Sequence, residues 1–478
     1  MDGFARLAPQ ATQTRLNSLA CEPGTCVPSS EAWLLLPPHA PRNPRERPRL
    51  WVLCRVWMAV LATAASTGFA AAQAPDQSDQ PALEVGGAAR RTLEQRGIAL
   101  QMTYTGEVFA ITSGGLKTGA TYDGVLECAV DLDLDKFMGW KGGSFHVNGY
   151  QIHGQGPANF AGNVFTISNI EALLATRLYE LWFEQALFAG SLKIRIGQLA
   201  ADGDFLASKV ASHFLNGTFG WPGLLAADLP AGGPAYPLAT PGLRAAFIPS
   251  DRLTVAGAIY NGSPADPNAP RPEESNRDGL DFRLKDPPLV MVESQYKYGR
   301  QAHGGAAFNT IKFGGWFHFG DFADQRTGAP LRRYHGLYAV VDHLVYALPS
   351  SGDKGISAFG RITGSPGDRD PIDFYFDAGL SFSGFLSGRP DDVFSAAFGY
   401  GHFSSSARAA DRDAGLSAIR DHEAVFEASY EAELMPGWWV IPDFQYVWHP
   451  GGNIPDANDP TKALQNVTIV GLRSALKF

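Results

Sequence analysis

The side chains in this chain that could do chemistry are carboxylates and guanidiniums recurring at every second position. In segment 123–135 (DGVLECAVDLDLD), Glu127, Asp131, Asp133 and Asp135 alternate with Leu126, Cys128, Val130, Leu132 and Leu134. In segment 422–434, Glu423, Glu427, Glu431 and Glu433 alternate with Phe426, Ala428, Tyr430, Ala432 and Leu434. Segment 373–383 sets Asp373, Tyr375 and Asp377 against Phe374, Phe376, Leu380 and Phe382, and segment 192–199 sets Lys193 and Arg195 against Leu192, Ile194 and Ile196. Arg244, Arg361 and Arg473 also fall opposite apolar residues, and Glu180, Trp182 and Glu184 share one parity. An unpaired charge in a dry core costs several kcal/mol, so these faces must meet water while the apolar faces lie against something apolar. Paired acids occur on so many segments that none stands out as a general acid and base.

Other catalytic or metal-binding constellations are missing from the sequence. The eleven His residues are scattered, with no H-E-x-x-H pair and no G-x-S-x-G elbow. Gly399–His402 (GYGH) reads as a strand end, not a phosphate loop. Asp456, Asn458 and Asp459 fit a turn better than a calcium loop, because their spacing matches no EF-hand. Of the four cysteines, Cys21, Cys26 and Cys54 precede the mature chain argued below, so Cys128 stands alone there. It reads as a small buried apolar residue, unable to form an intramolecular disulfide or a cysteine-based zinc site. No cofactor or metal is expected. Residues 1–74 hold seven Arg and four acids, a net +3, so the remainder carries −12 of the formal −9. With no basic run after residue 100, nucleic acid is excluded as a partner.

Alternation with period two is the signature of a β-strand between two unlike surroundings. Segments of this kind, divided by Gly, Pro, Asp and Asn, are expected at 98–110, 123–134, 143–153, 178–189, 192–199, 240–248, 252–260, 288–298, 303–317, 334–346, 356–364, 373–384, 392–403, 422–433, 438–448 and 466–478. They number sixteen, and single-chain bacterial barrels have even counts. No stretch after residue 75 reaches eighteen uninterrupted apolar residues, so membrane helices are excluded. A bilayer tolerates no open strand edge, which leaves a closed barrel as the membrane solution. The fold class expected is therefore all-β: a transmembrane antiparallel β-barrel of about 16 strands after a short N-terminal helix.

The last strand, 466–478, should pair with the first, placing Val470, Leu472 and Leu476 toward lipid, Arg473 toward the lumen and Phe478 at the periplasmic rim. Tyr104, Phe109, Phe317, Phe319, Tyr338, Tyr346, Phe403, Trp438, Trp439 and Trp448 lie toward strand ends and are expected in interfacial girdles. The longer connections are 154–177, 200–239, 261–287, 318–333, 404–421 and 449–465, and 200–239 is long enough to fold inward and narrow the lumen.

The N-terminus reads as an address. Residues 1–49 are Pro- and Arg-rich without sustained period, and are expected to be disordered or an over-extended gene model, with initiation near Leu50 to Met58. Residues 50–74 combine basic residues, a short apolar run and an A-x-A pattern, the parts of a signal peptide cleaved after Ala72 or Ala74. Residues 75–97 supply a polar linker and a short amphipathic helix within 83–96, on the periplasmic side, and the barrel occupies 98–478.

Leu178–Phe205 (LYELWFEQALFAGSLKIRIGQLAADGDF), Phe219–Pro222 (FGWP) and Met435–Asp456 (MPGWWVIPDFQYVWHPGGNIPD) resemble the carbohydrate-selective porin, OprB, family. Ile98–Phe109 and the Gly106–Asp123 turn region are similar to that family's first hairpin, and the likeness spans about residues 83–478. The resemblance implies a sixteen-stranded channel in the outer membrane of a Gram-negative bacterium, passing glucose and other sugars by diffusion, and not an enzyme. It also implies outer-membrane lipid and the barrel assembly machinery as partners, with Phe478 serving as the assembly signal, and it allows a homo-oligomer. A sugar-selective lumen needs planar donors and acceptors with aromatic faces, bound weakly enough for conduction. The residues expected to line it are Arg195, Arg244, Arg361, Arg473, Glu180, Trp182, Glu184, Glu127, Asp131, Glu427 and Glu431, with Arg195 and Arg244 at the eyelet beside 200–239. A general porin, a barrel enzyme, a purely structural barrel and a secreted soluble β-protein are the rivals.

Overall fold

The computed structural model describes residues 87–299, 309–349 and 351–478, with backbone alone for 351–353. The leader at 1–49, the signal peptide at 50–74 and the linker up to residue 86 lie outside the described residues, as does the start of segment 303–317. No helix among the described residues is long and apolar enough to cross a membrane.

The chain forms a closed barrel. Its strands are β1 (Ile98–Ser113), β2 (Gly119–Asp133), β3 (Gly143–Gly154), β4 (Ala175–Leu187), β5 (Leu192–Leu199), β6 (Thr240–Ser250), β7 (Leu253–Tyr260) and β8 (Leu289–Tyr298). They continue with β9 (Asn309–Ala323), β10 (Pro330–Leu348), β11 (Ser351–Gly364), β12 (Ile372–Ser383), β13 (Val393–Phe403), β14 (His422–Met435), β15 (Trp438–Trp448) and β16 (Val467–Lys477). Each strand pairs antiparallel with its sequence neighbours, and β16 closes on β1 with Arg473 opposite Glu107 and Leu472 opposite Val108. All sixteen expected segments overlap a strand. Their parity follows the sequence: Val470 and Leu472 are exposed on the outer face, whereas Arg473 is buried inside. Cys128 takes the outward parity beside Leu126 and is half-buried there, not enclosed in a core. The N-terminal helix, Gly87–Gln95, reaches the other terminus, Arg90 Nη1 donating to the Phe478 carbonyl oxygen at 2.8 Å.

Two further expectations are corrected. The connection placed at 318–333 is only the turn 324–329, because β9 continues to Ala323 and β10 begins at Pro330. A bulge between Arg332 and Tyr334 breaks the alternation there and conceals the strand. The aromatic girdle holds in part: Phe319 and Tyr346 are exposed on the outer face, while Phe109, Tyr338 and Phe403 are buried inside and Trp439 packs against the inner cluster. Nearness to a strand end had outweighed parity for these four, and the pleat decides the face.

The barrel interior is partly filled by its own connections. Phe205, Phe214, Phe219, Leu224 and Leu225 of 200–239 join Phe165 and Ile167 of 155–174 against Trp316, Tyr338, Phe359 and Tyr375 of the wall. These inward apolar residues would be misplaced in a fully watered lumen; the loops that bury them explain them.

Candidate channel constriction

The register brings Arg195 of β5 directly opposite Arg244 of β6. Like charges in facing positions repel. The loop supplies the remedy: Asp204 lies 3.1 Å from Arg195 Nη1 and 3.1 Å from Arg244 Nε, so one carboxylate bridges two guanidiniums. Arg195 also pairs with Glu184 of β4 at 3.0 Å, and Lys193 stands 3.8 Å from the same carboxylate. The Arg195 guanidinium lies over the Trp182 ring, 4.1 Å from its centroid, and His146 stacks on that indole at 5.0 Å. His146 Nδ1 in turn meets Asp131 at 2.6 Å. A cation over an aromatic face gains from the ring quadrupole and is held in one orientation by it. Space for Trp182 comes from Gly197 across the pair: a Cβ there would fall 2.1 Å from the Leu181 carbonyl oxygen, and its φ of 149° suits glycine.

The expected residues thus divide. Arg195, Arg244, Glu184 and Trp182 come together on β4–β6, with Asp131 joined to them through His146. Glu180 accepts from Ala200 N at 2.9 Å and Glu127 from Asn148 Nδ2 at 2.9 Å on the same side of the barrel. Glu431 lies apart, against His213 of the loop at 3.0 Å.

The remaining three expected residues are enclosed. Arg361 pairs with Asp377, both side chains 0% exposed, and it donates to the carbonyls of Leu206, Thr218, Phe219 and Gly220 at 2.9–3.2 Å. Glu427 accepts from Leu215 N at 2.6 Å and Asn216 N at 2.9 Å. Arg473 pairs with Glu107 at 2.6 Å and donates to Asn169 of the 155–174 loop at 2.8 Å. These groups satisfy loop backbone and polar side chains that would otherwise be buried without partners.

Alternation alone missed several contributors. His146 sat at the right parity of β3, between Ser144 and Asn148, and Lys193 at that of β5; both were legible. Asp204 was not, since it belongs to an aperiodic loop. Glu293, which accepts from Leu206 N at 3.0 Å, and Asp342, which accepts from Ser208 Oγ, complete the loop's anchorage on β8 and β10. On the short helix Gly223–Asp228, Asp228 accepts from Tyr334 Oη at 3.1 Å. Burial, then the charge of Asp370, pushes its carboxyl well above the usual range, and burial lifts Asp370 to about 9.

The arrangement presents hydrogen-bond donors and acceptors of both signs side by side on the inner face. No set of His, Cys, Asp or Glu suited to holding a metal occurs among the described residues.

Comparison with known proteins agrees with this architecture. Residues 117–478 match the model of the family described as carbohydrate-selective porin, OprB family. Porin B of Pseudomonas aeruginosa is 23% identical over 402 residues, covering 77% of this chain and 86% of that protein. The high-pH structure of Pseudomonas putida OprB superposes with a TM-score of 0.71 at 18% identity, covering 82% of this chain and 97% of that one. The low-pH structure of the same porin gives 0.50 at 16% identity, over 82% and 96% of the two chains. A sixteen-stranded barrel with this match along most of its length belongs to the OprB family of carbohydrate-selective porins.

Proposed function

We propose that the barrel passes sugars, glucose among them, across the outer membrane of a Gram-negative cell by passive diffusion, with Arg195, Asp204 and Arg244 as its selective stretch. Family membership supports the transport of carbohydrate and a channel in place of an enzyme. One observation carries the siting: two opposed guanidiniums bridged by a single loop carboxylate, beside an indole. Guanidinium forks offer paired donors to vicinal hydroxyls, and Glu184, Asp204 and Asp131 offer acceptors. Groups of both signs facing one space polarise neutral hydroxyls while disfavouring neither ion strongly. Because each charge already has a protein partner, a sugar gains only the difference between partners, and binding stays weak enough for release.

On this reading Glu127, Asp131, Glu180, Trp182, Glu184 and Glu431 line the path, and Arg361, Glu427 and Arg473 hold the loops that shape it. Outer-membrane lipid surrounds the barrel, and Phe478 is presented to the assembly machinery. Replacing Arg195 and Arg244 with Ala should weaken glucose block of single-channel conductance by roughly tenfold, the loss of one charge-assisted hydrogen bond of about 1.5 kcal/mol. Unchanged block and conductance would remove these residues from the constriction. A general porin would show solute-size dependence with no glucose block at all.

A further inference from the structure

The outer wall over β9–β12 carries a shallow groove of about 560 Å³. Phe313 and Leu337 flank it on one side and Phe374 on the other, with Ala339, Ile362 and Gly364 between them. These residues face outward, since Tyr338 and Thr363 of the same strands are buried inside. Small residues set between large ones leave the depression. The groove belongs to the lipid-facing surface, opposite in parity to every group assigned to the channel.

Its extracellular end is cationic. His335 lines the groove, and Arg332 and Arg333 precede it, all three exposed. His335 stacks on Phe317 at 6.1 Å, and the Arg333 guanidinium lies 6.0 Å from the same ring, which packs on Phe319 at 4.7 Å. The basic edge is therefore mounted on the aromatic belt, at headgroup level. The β10 bulge turns consecutive arginines to one exposed surface, and Arg369 fixes it by donating to the carbonyls of both Arg332 and Arg333. Two carboxylates stand nearby. Asp321 faces Arg332 across the β9–β10 pair, and Asp373, on the far edge of the groove, is hydrogen-bonded to His402 Nδ1 at 2.7 Å. Neither Arg333 nor His335 has an ion-pair partner among the described residues.

We infer that this groove holds an acyl chain of an outer-leaflet lipid whose headgroup phosphate is taken by Arg332, Arg333 and His335. An apolar groove by itself would take any tail. The basic edge, in which Arg333 and His335 have no ion-pair partner among the described residues, is what selects a phosphorylated headgroup, by charge complementarity and by guanidinium geometry suited to phosphate.

Native mass spectrometry of the purified barrel in non-ionic detergent tests this, using a phosphorylated acylated disaccharide lipid and its dephosphorylated form as probes. The wild-type barrel should retain the phosphorylated lipid about tenfold better. Arg332→Ser with Arg333→Ser and His335→Ser should bring it down to the dephosphorylated level, and Ala339→Trp, which fills the groove, should reduce both. Equal retention of the two lipids by wild type would overturn the inference, as would unchanged retention by the triple variant. An oligomer that falls to a monomer on Ala339→Trp would overturn it too, assigning the groove to a second copy of the chain. Single-channel conductance, which depends on the inner face, checks that each variant has assembled.

Discussion

The inner surface of this barrel has two walls with the same sequence pattern and different environments. On β4–β6, Arg195, Arg244 and the loop's Asp204 keep 13–19% of their side-chain surface exposed. On β11–β12, Arg361 and Asp377 keep none. Both walls place a charge at alternate positions of strands whose other face is apolar. The difference is the covering: 200–239 and 155–174 lean on the far wall and bring backbone N–H and C=O groups into its interior. Such groups must be paired, and ionised side chains pair with them most strongly. Alternating charge therefore identifies an inward face, and whether that face meets water or loop is a separate matter.

Removing an anchor should break the contrast most severely. Arg361→Met strands Asp377 and takes a donor from four loop carbonyls. Losing one partner of a buried pair costs about 3–5 kcal/mol, which urea unfolding would read, together with a larger and noisier conductance as the loop lifts. Stability within about 1 kcal/mol of wild type would mean that this wall is no more buried than the other. Glu427→Gln keeps the shape but weakens the bonds from Leu215 and Asn216. A loss of about 1.5–3 kcal/mol is expected, without the Arg361 variant's collapse.

Proton linkage offers a milder probe of the same loop. Asp228 and Asp370 have carboxyls raised in the folded protein, Asp370 to about 9 from an ordinary 3.8. The inserted loop thus holds protons that a released loop would give up. Its anchorage is complete below about pH 4 and declines as pH rises through about 9. Conductance recorded between acid and alkaline pH should become noisier toward the alkaline end. In the Asp228→Asn, Asp370→Asn double variant the profile should be shallower, with Asp202 and Glu171 of the inserted loops, both raised by burial, accounting for what remains. The smallest stability effect belongs to the open wall: Arg195→Ala with Arg244→Ala should change unfolding by about 1 kcal/mol, although it weakens glucose block about tenfold. A large destabilisation would show that these arginines are anchors as well.

Some errors in the sequence reading have local causes. The β9–β10 hairpin was cut short because Asp321, Arg332 and Arg333 interrupt the apolar alternation and a bulge shifts it. Tyr338 was placed in the lipid girdle although it shares the inward parity of Val340 and Asp342; its hydroxyl donates to Glu293 at 3.0 Å. His146 had the inward parity and was not weighed; Lys193 was placed on the polar face of its segment but not among the lining residues.

By itself the sequence determined the number of strands, the face most strand residues take away from the bulges, and the closure of β16 on β1. Those properties are local: period two is set by the pleat, and closure follows once no edge can remain open in lipid. Only the tertiary structure decided which inward charges stay open and which are sealed. Asp204 reaches Arg244, and Asn216 reaches Glu427 across more than two hundred residues, because an aperiodic loop crosses the barrel. No period marks such a loop, and its position is set by contacts distant in sequence.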